Sequence, residues 1–91
     1  MDDRQTDDRD DRRDEVLRAL VEEHIRTGEP VSSKNVLEST GLPVSGATIR
    51  NELASLEREG FAVQPHTSAG RVPTARAYRY YVDHLSPTKL H

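Results

Sequence analysis

One segment, residues 44–60, constrains the fold of this chain more than any other part of the sequence. Its apolar residues recur at i, i+4 and i+7, a spacing that predicts one buried helical face, and they are Ile49, Leu53 and Leu56. Ser45 stands before this face and is predicted to be the N-cap, because its hydroxyl can accept an amide proton that the first turn leaves unpaired. Gly60 follows the face and is predicted to end the helix in the left-handed conformation. The segment therefore predicts a single capped helix that packs one side against a core.

The other side of this helix carries short or hydrogen-bonding side chains, namely Ala47, Thr48, Arg50, Asn51 and Arg58. A helix end with short side chains can enter the major groove of DNA closely, where Thr, Asn and Arg contact base edges or phosphates. An amphipathic helix with a solvated polar face shows the same pattern. This helix alone therefore leaves both interpretations open.

A short β-hairpin is predicted directly after the helix. Residues 61–64 alternate in character, with Phe61 and Val63 expected on one face of a first strand. Residues 66–70 form a polar, glycine-containing turn, and residues 71–72 can pair back as a second strand before a proline ends it. A hairpin placed directly after such a helix is the arrangement of a winged helix-turn-helix, and it favours the DNA-binding interpretation.

The rest of the sequence predicts a helical scaffold. A first helix is expected over about residues 11–27, with an inward face formed by Val16, Leu17, Leu20, Val21, His24 and Ile25. A second, short helix is expected to begin at Ser32 or Ser33, to carry Val36 and Leu37 inward and to end at Gly41. This helix and the one after it would form a helix-turn-helix. A last helix, capped by Thr74, is expected to bury Tyr78, Tyr81, Val82 and Leu85. The predicted fold is mainly α with a small β-hairpin: a winged helix-turn-helix with a three-helix core, a two-stranded wing and an extra C-terminal helix.

The two ends of the chain differ in composition from the middle. Residues 1–15 hold eight acidic and four basic residues and no apolar residue after the initial methionine. Residues 1–12 are therefore predicted to be a disordered acidic tail. The DNA-binding domain is predicted to span residues 13–86, and residues 87–91 are expected to be a short flexible C-terminus.

Charge and composition exclude several classes of protein. The net charge is −3, but the first fifteen residues account for −4 of it, and residues 61–91 carry four basic residues against Asp83 alone. A basic patch on a nearly neutral domain is enough for a modest DNA footprint. The sequence has no cysteine, which excludes disulfides and thiolate metal sites, and it has no run of 18 apolar residues. We expect a soluble, cytoplasmic protein without contact to a membrane.

The sequence contains few features that indicate catalysis or cofactor binding. Ser68, His66 and Asp83 could form a nucleophilic set, but no nucleophile elbow, phosphate-binding loop or pair of carboxylates accompanies them. His66 and His84 lack a cysteine or a second histidine at ligand spacing, so no metal site is expected. We predict no enzyme activity, no metal and no cofactor.

Four segments of the chain resemble the amino-terminal domain of the HrcA family, the bacterial heat-inducible transcription repressors. They are residues 27–31 (TGEPV), 44–51 (VSGATIRN), 64–73 (QPHTSAGRVP) and 78–83 (YRYYVD). The resemblance covers nearly all of residues 15–85, and the third segment is its most specific part. It implies a homodimeric repressor that binds an inverted-repeat operator on double-stranded DNA ahead of chaperone genes, with a chaperonin as a possible partner. The family also has a long carboxy-terminal sensor and dimerisation region, so this chain is expected to be a truncated form or a minimal relative.

The candidate DNA contacts are Lys34, Ser45, Ala47, Thr48, Arg50, Asn51, His66, Thr67, Ser68 and Arg71. Arg50 is expected to bind a phosphate, with surface pairing to Glu52, Glu57 or Glu22 as the alternative. Asn51 is expected to contact adenine, and Thr48 either contacts a thymine methyl group or only completes the cap. Lys34 either reaches the DNA backbone or is a free surface lysine.

The wing residues 66–68 and Arg71 are expected to contact phosphate or the minor groove. Alternatively, the wing docks on the rest of a full-length repressor. Two alternatives to the overall function stay open: a winged helix of another bacterial repressor family, and one that binds only proteins.

Overall fold

The computed structural model describes residues 4–65 and 70–86, with side chains described from residue 11 onward within those ranges. Within these ranges the structure has three helices, a two-stranded antiparallel sheet and a fourth helix that continues as a π-helical turn. In chain order the elements are α1 (Arg4–Thr27), α2 (Ser33–Thr40), α3 (Gly46–Arg58), β1 (Ala62–Val63), β2 (Val72–Pro73), α4 (Ala75–Tyr80) and the π turn (Tyr81–Leu85). The predicted winged helix-turn-helix, with its three-helix core, wing and extra C-terminal helix, is confirmed.

Hydrogen-bonding side chains and glycines set the ends of α2 and α3. Ser32 caps α2, its side chain accepting the Asn35 amide proton while the Asn35 side chain reaches back to the Ser32 backbone. Gly41 ends α2 at φ 67°. Ser45 caps α3 by accepting a hydrogen bond from the Thr48 amide at 3.2 Å, and Gly60 follows α3 at φ 87°. The predicted caps and stops are confirmed, and they set where α3 begins and ends.

The core lies between α1, α2 and α3, and its largest fully buried side chains are Val16, Leu17, Leu20, Val21, Val31, Val36, Ile49, Leu53 and Leu56. The apolar spacing predicted all of these except Val31. The prediction for Ile25 is wrong, because this side chain is 62% exposed. Every residue from 25 to 29 is exposed, so the last turn of α1 extends past the core.

α1 begins earlier than predicted. It starts at Arg4 rather than near residue 11, so residues 4–12, expected to belong to a disordered tail, are helical in the structure. Extending an existing helix adds one hydrogen bond per residue and needs no new nucleus. Arg12 and Arg13 also tie this end of α1 to the body of the domain through ion pairs with Glu52 and Glu59.

The wing is a short hairpin in which Ala62 pairs with Pro73 and Val63 pairs with Val72. Its faces differ from the prediction: Ala62 is buried and Val63 is 47% exposed, whereas the buried Phe61 precedes the strand. Proline was expected to end the second strand, but Pro73 is its last paired residue. Proline is tolerated there because each strand of a two-stranded sheet is an edge.

A second pairing fixes the wing to the segment before α2. Arg71 and Val31 exchange two backbone hydrogen bonds, of 2.9 and 2.8 Å, as an isolated antiparallel bridge. Gly70 is buried beside this bridge, against Pro30. The wing is therefore held at two places: it follows α3 directly in sequence, and the bridge joins it to the loop between α1 and α2.

The C-terminal helix begins as predicted, with Thr74 accepting the Ala77 amide proton at 3.3 Å. After Tyr80 the backbone changes to i→i+5 hydrogen bonding, which widens the turn and alters which side chains face inward. Val82, predicted to be buried, is 58% exposed as a result. Among the residues that the structure describes, no helix is both long and apolar enough to cross a membrane.

Candidate nucleic-acid interface

The first two turns of α3 present most of the candidate contact residues on one exposed surface. Ile49 points into the core, and because a helix turns about 100° per residue, Ala47 and Asn51 lie on the opposite side. Both are exposed. Ser45 is also exposed, and its hydroxyl lies 3.2 Å from that of Thr48. The structure thus brings Ser45, Ala47, Thr48 and Asn51 together at one end of α3.

Arg50 is exposed on the flank of this surface. The three glutamates considered as its surface partners have other partners in the structure, the pairs being Arg12–Glu52, Arg71–Glu57 and Arg18–Glu22. Among the described residues, Arg50 itself has no carboxylate partner. Its guanidinium is therefore open to an external anion.

A groove of about 520 Å³ runs along the opposite flank of α3, between this helix and the start of α1. Thr48, Asn51 and Glu52 line one wall, and Arg12 and Arg13 line the other. The Nε atom of Arg12 donates to Oε2 of Glu52 at 2.8 Å. The two candidate base-contacting residues therefore lie directly beside an ion pair that joins α1 to α3.

Arg13 joins α1 to the wing and α4. Its guanidinium carbon lies 5.6 Å from the ring centroids of both Phe61 and Tyr80, and its Nη1 donates to Glu59 at 3.0 Å. Burial lowers the pKa of Arg13. The hydrogen bond to Tyr80 and the nearby acids Asp14 and Glu59 together raise the pKa by more than burial lowers it, so the net shift is upward. The side chain is charged and fixes the base of the wing.

Tyr80 is an aromatic residue near the wing that could stack on a base, but the structure gives it a packing role. Its ring meets Phe61 edge-on at 5.6 Å, and its hydroxyl donates to Asp14 at 3.1 Å. Burial and this hydrogen bond to the acid raise the pKa of Tyr80. The ring is not free to stack on a base.

The structure separates the remaining candidates. Arg71 lies on the wing side of α3, where its Nε donates to Oε1 of Glu57 at 2.9 Å and its side chain is only 17% exposed. Lys34 is exposed on the first turn of α2. His66, Thr67 and Ser68 lie outside the described residues. No group of three or more His, Cys, Asp or Glu residues in the described part of the chain is arranged to hold a metal ion.

Sequence reasoning missed Arg12 and Arg13, because Arg12 was assigned to the acidic tail and Arg13 to the edge of the domain, where no apolar spacing indicates a contact. The composition of α3 and of the residue after it could have indicated that basic partners exist elsewhere in the chain. Residues 46–59 carry three glutamates and two arginines, an unusual balance for a helix expected to meet DNA. Basic partners from another part of the chain could have been inferred from this excess of acid.

Curated relatives match almost the whole chain. The heat-inducible transcription repressor HrcA of Acidothermus cellulolyticus is 59% identical over 80 residues, which is 88% of this chain and 24% of that protein. The HrcA proteins of a Nocardioides species and of Clostridium perfringens are 56% identical over 80 residues and 55% identical over 76 residues. The chain belongs to the HrcA family. It spans about a quarter of the length of the curated relatives it matches, at their amino-terminal end.

A solved structure supports the same fold. A crystal structure described only as that of a hypothetical protein is 48% identical and superimposes with a TM-score of 0.78, covering 80% of this chain and 24% of the other. No protein-family model matches the chain. In that structure, as in the HrcA relatives, the matching part is about a quarter of a longer chain.

Proposed function

We propose that this chain binds double-stranded DNA sequence-specifically, as the operator-binding domain of a transcriptional repressor of heat-shock (chaperone) genes. The observation that carries the proposal is the exposed end of α3, with short polar side chains and an unpaired arginine, next to a wing. The names of the HrcA relatives, heat-inducible transcription repressors, supply the biological setting. No catalytic step or cofactor is required, because occupying promoter DNA is enough to block transcription.

In this proposal the first two turns of α3 lie in the major groove. Asn51 is placed to make a bidentate contact with adenine, and Thr48 is placed to contact a thymine methyl group. Ala47 allows close approach of the helix, and the hydroxyl of Ser45 is already used in the cap. Arg50, on the flank, binds a phosphate and so sets the register of the helix on the duplex.

The wing extends the contact to the neighbouring DNA backbone. Residues 66–68, which lie between the two strands in sequence, are proposed to contact phosphate or the minor groove. Arg71 is proposed to support them, because its contact with Glu57 holds the wing against α3. Lys34, exposed at the start of α2, is proposed to add a backbone contact on the other side of the helix-turn-helix.

An inverted-repeat operator requires two such domains on one face of the duplex. Their centres would lie about 34 Å apart, one helical turn, or a multiple of that distance. We propose that a homodimer of the full-length protein supplies this pair, with a chaperonin as its regulatory partner and the cytoplasm as its location. A single domain should bind weakly, because it lacks the effective concentration that a tethered partner provides.

Selection from a random duplex library, followed by fluorescence anisotropy, tests the proposal. The 91-residue chain is expected to enrich a common sequence and to bind it more tightly than a scrambled duplex of the same composition. Affinity should fall with salt, with a log–log slope of roughly −0.9 for each phosphate neutralised. Failure to enrich any sequence, together with binding that salt does not change, would contradict the proposal.

Substitution of Arg50 separates DNA binding from a role in protein interaction alone. Arg50→Ala removes an exposed charge that has no carboxylate partner in the described part of the chain, so it should weaken DNA binding without lowering the melting temperature. Arg26→Ala is the matched control, since Arg26 is exposed on the last turn of α1, which extends past the core. Equal affinity of the wild type and Arg50→Ala would favour a winged helix that binds only proteins.

A further inference from the structure

The charge of α3 conflicts with its proposed place in the major groove. Residues 46–59 carry two arginines against three glutamates, a net charge of −1, whereas the DNA backbone attracts positive charge. The structure pairs each glutamate with an arginine from outside the helix, and the pairs are Arg12–Glu52, Arg71–Glu57 and Arg13–Glu59. The helix is therefore made compatible with DNA by arginines that α1 and the wing provide.

Of the three glutamates, Glu52 lies closest to the proposed base contacts. It follows Asn51 in sequence and lines the same groove as Thr48 and Asn51. Glu57 and Glu59 lie more than one turn further from the start of the helix. The Glu52 side chain is also the most confined, at 14% exposed compared with 39% and 45% for the other two. Its carboxylate cannot turn freely to bulk water, so its charge must be balanced where it lies.

Arg12 supplies that balance. Its Nε donates to Glu52 at 2.8 Å across 40 positions of sequence, and its side chain remains 39% exposed. The pair is the contact by which the first half of α1 reaches the middle of α3. Without Arg12, an uncompensated carboxylate would lie beside Asn51 and face the incoming phosphates.

We propose that Arg12 is a positioning residue for DNA binding, which neutralises and holds Glu52 so that Asn51 and Thr48 can approach the bases. The inference rests on the proposed function, and it adds a residue from outside the helix-turn-helix and the wing. Arg12 acts through Glu52 rather than through a phosphate of its own. The effect of removing Arg12 must therefore depend on the presence of the carboxylate at position 52.

A double-mutant cycle tests this dependence. Four versions of the 91-residue chain are compared by anisotropy on the duplex enriched by the wild type: wild type, Arg12→Ala, Glu52→Gln and the double variant. Arg12→Ala should weaken binding roughly threefold to fivefold, the upper part of the range for a partly exposed charge pair. In the Glu52→Gln background the same substitution should change affinity by less than about twofold. Arg12→Lys, which keeps the charge, should retain most of the affinity.

Arg26→Ala is the matched control. Arg26 lies on the same helix and is also paired with a glutamate, but it is about 21 Å from Arg12 along the axis. Its removal should leave DNA binding unchanged. Melting temperatures of all variants show whether a loss of affinity reflects a loss of fold, and Arg12→Ala should melt close to the wild type because the pair is partly exposed.

Three outcomes would overturn the inference. In the first, Arg12→Ala binds DNA as tightly as the wild type does. In the second, the loss of affinity is equally large with Gln at position 52, which would make Arg12 a direct phosphate contact. In the third, Arg12→Lys loses as much affinity as Arg12→Ala, which would assign the effect to shape rather than charge. If the wild type enriches no sequence at all, the proposed function itself fails, and the inference about Arg12 fails with it.

Discussion

Gly70→Ala tests whether the wing is held in place by close contact with the loop before α2. A Cβ atom at position 70 would lie 3.0 Å from the carbonyl carbon and Cβ of Pro30 and 3.0 Å from the backbone nitrogen of Val31. Two of these are backbone atoms, and the backbone hydrogen bonds between Val31 and Arg71, at 2.8 and 2.9 Å, prevent an easy separation. The wing strand or the loop must therefore move by several tenths of an ångström.

The expected cost is that of overpacking a buried site, about 1–3 kcal/mol in the free energy of unfolding. For a domain of this size each kcal/mol corresponds to roughly 4–8 °C in melting temperature. Urea unfolding followed by circular dichroism measures the free energy directly. Gly46→Ala is the matched control, because its Cβ would approach only Arg50, at 3.9 Å, and alanine is favoured within a helix.

We expect Gly70→Ala to be destabilised and Gly46→Ala to be equal to the wild type or slightly more stable. The bridge should also be disturbed, so that the amide protons of Val31 and Arg71 exchange faster with solvent in Gly70→Ala. If both variants unfold at the same urea concentration as the wild type, the close approach of the wing to the loop is refuted.

Three further predictions follow from single contacts. Ser45→Ala removes the α3 cap and should lower the free energy of unfolding by about 1 kcal/mol. Ser45→Asp keeps a cap acceptor, so thermal unfolding should show that stability is retained, whereas anisotropy should show a loss of DNA affinity. The pKa of Tyr80 is raised by burial and by its hydrogen bond to Asp14. Its contribution to stability is therefore complete below the unfolded pKa of about 10 and is lost as pH rises through the folded pKa. Urea unfolding across this pH range should show a smaller decline in the free energy of unfolding for Tyr80→Phe than for the wild type. Deletion of residues 1–10 removes five aspartates and two arginines, a net charge of −3, but leaves Arg12 and Arg13 in place. The deletion should tighten DNA binding at low salt and have little effect at high salt. Equal affinities of the deletion variant and the wild type at low salt would show that these residues do not compete with DNA.

The sequence was sufficient for the parts of the fold that depend on neighbouring residues. Apolar spacing identified the buried faces of α1 and α3, and the caps at Ser45 and Thr74 follow from hydroxyl groups placed before a helix. The start of α1 was not predictable in this way. Residues 4–12 have no apolar face, and the contacts that tie this end of the helix to the domain are made with residues far along the chain.

Errors in the wing and the last helix have the same origin. The exposure of Val63 and Val82 depends on where the hairpin and the π turn sit against the core, and alternation or helical spacing cannot show this. Within the candidate site, the exposed residues of α3 were predicted from helical geometry. The pairings of Arg12 and Arg71 were not, because each depends on an ion pair between separate elements.

An NMR titration of the 91-residue chain with the enriched inverted-repeat duplex and with a scrambled duplex tests the central claim most directly. The account predicts that amide shifts concentrate on residues 45–51 and on the wing, and that they are larger for the inverted repeat. Shifts of equal size for both duplexes, or shifts centred on α4 and the end of α1, would contradict it.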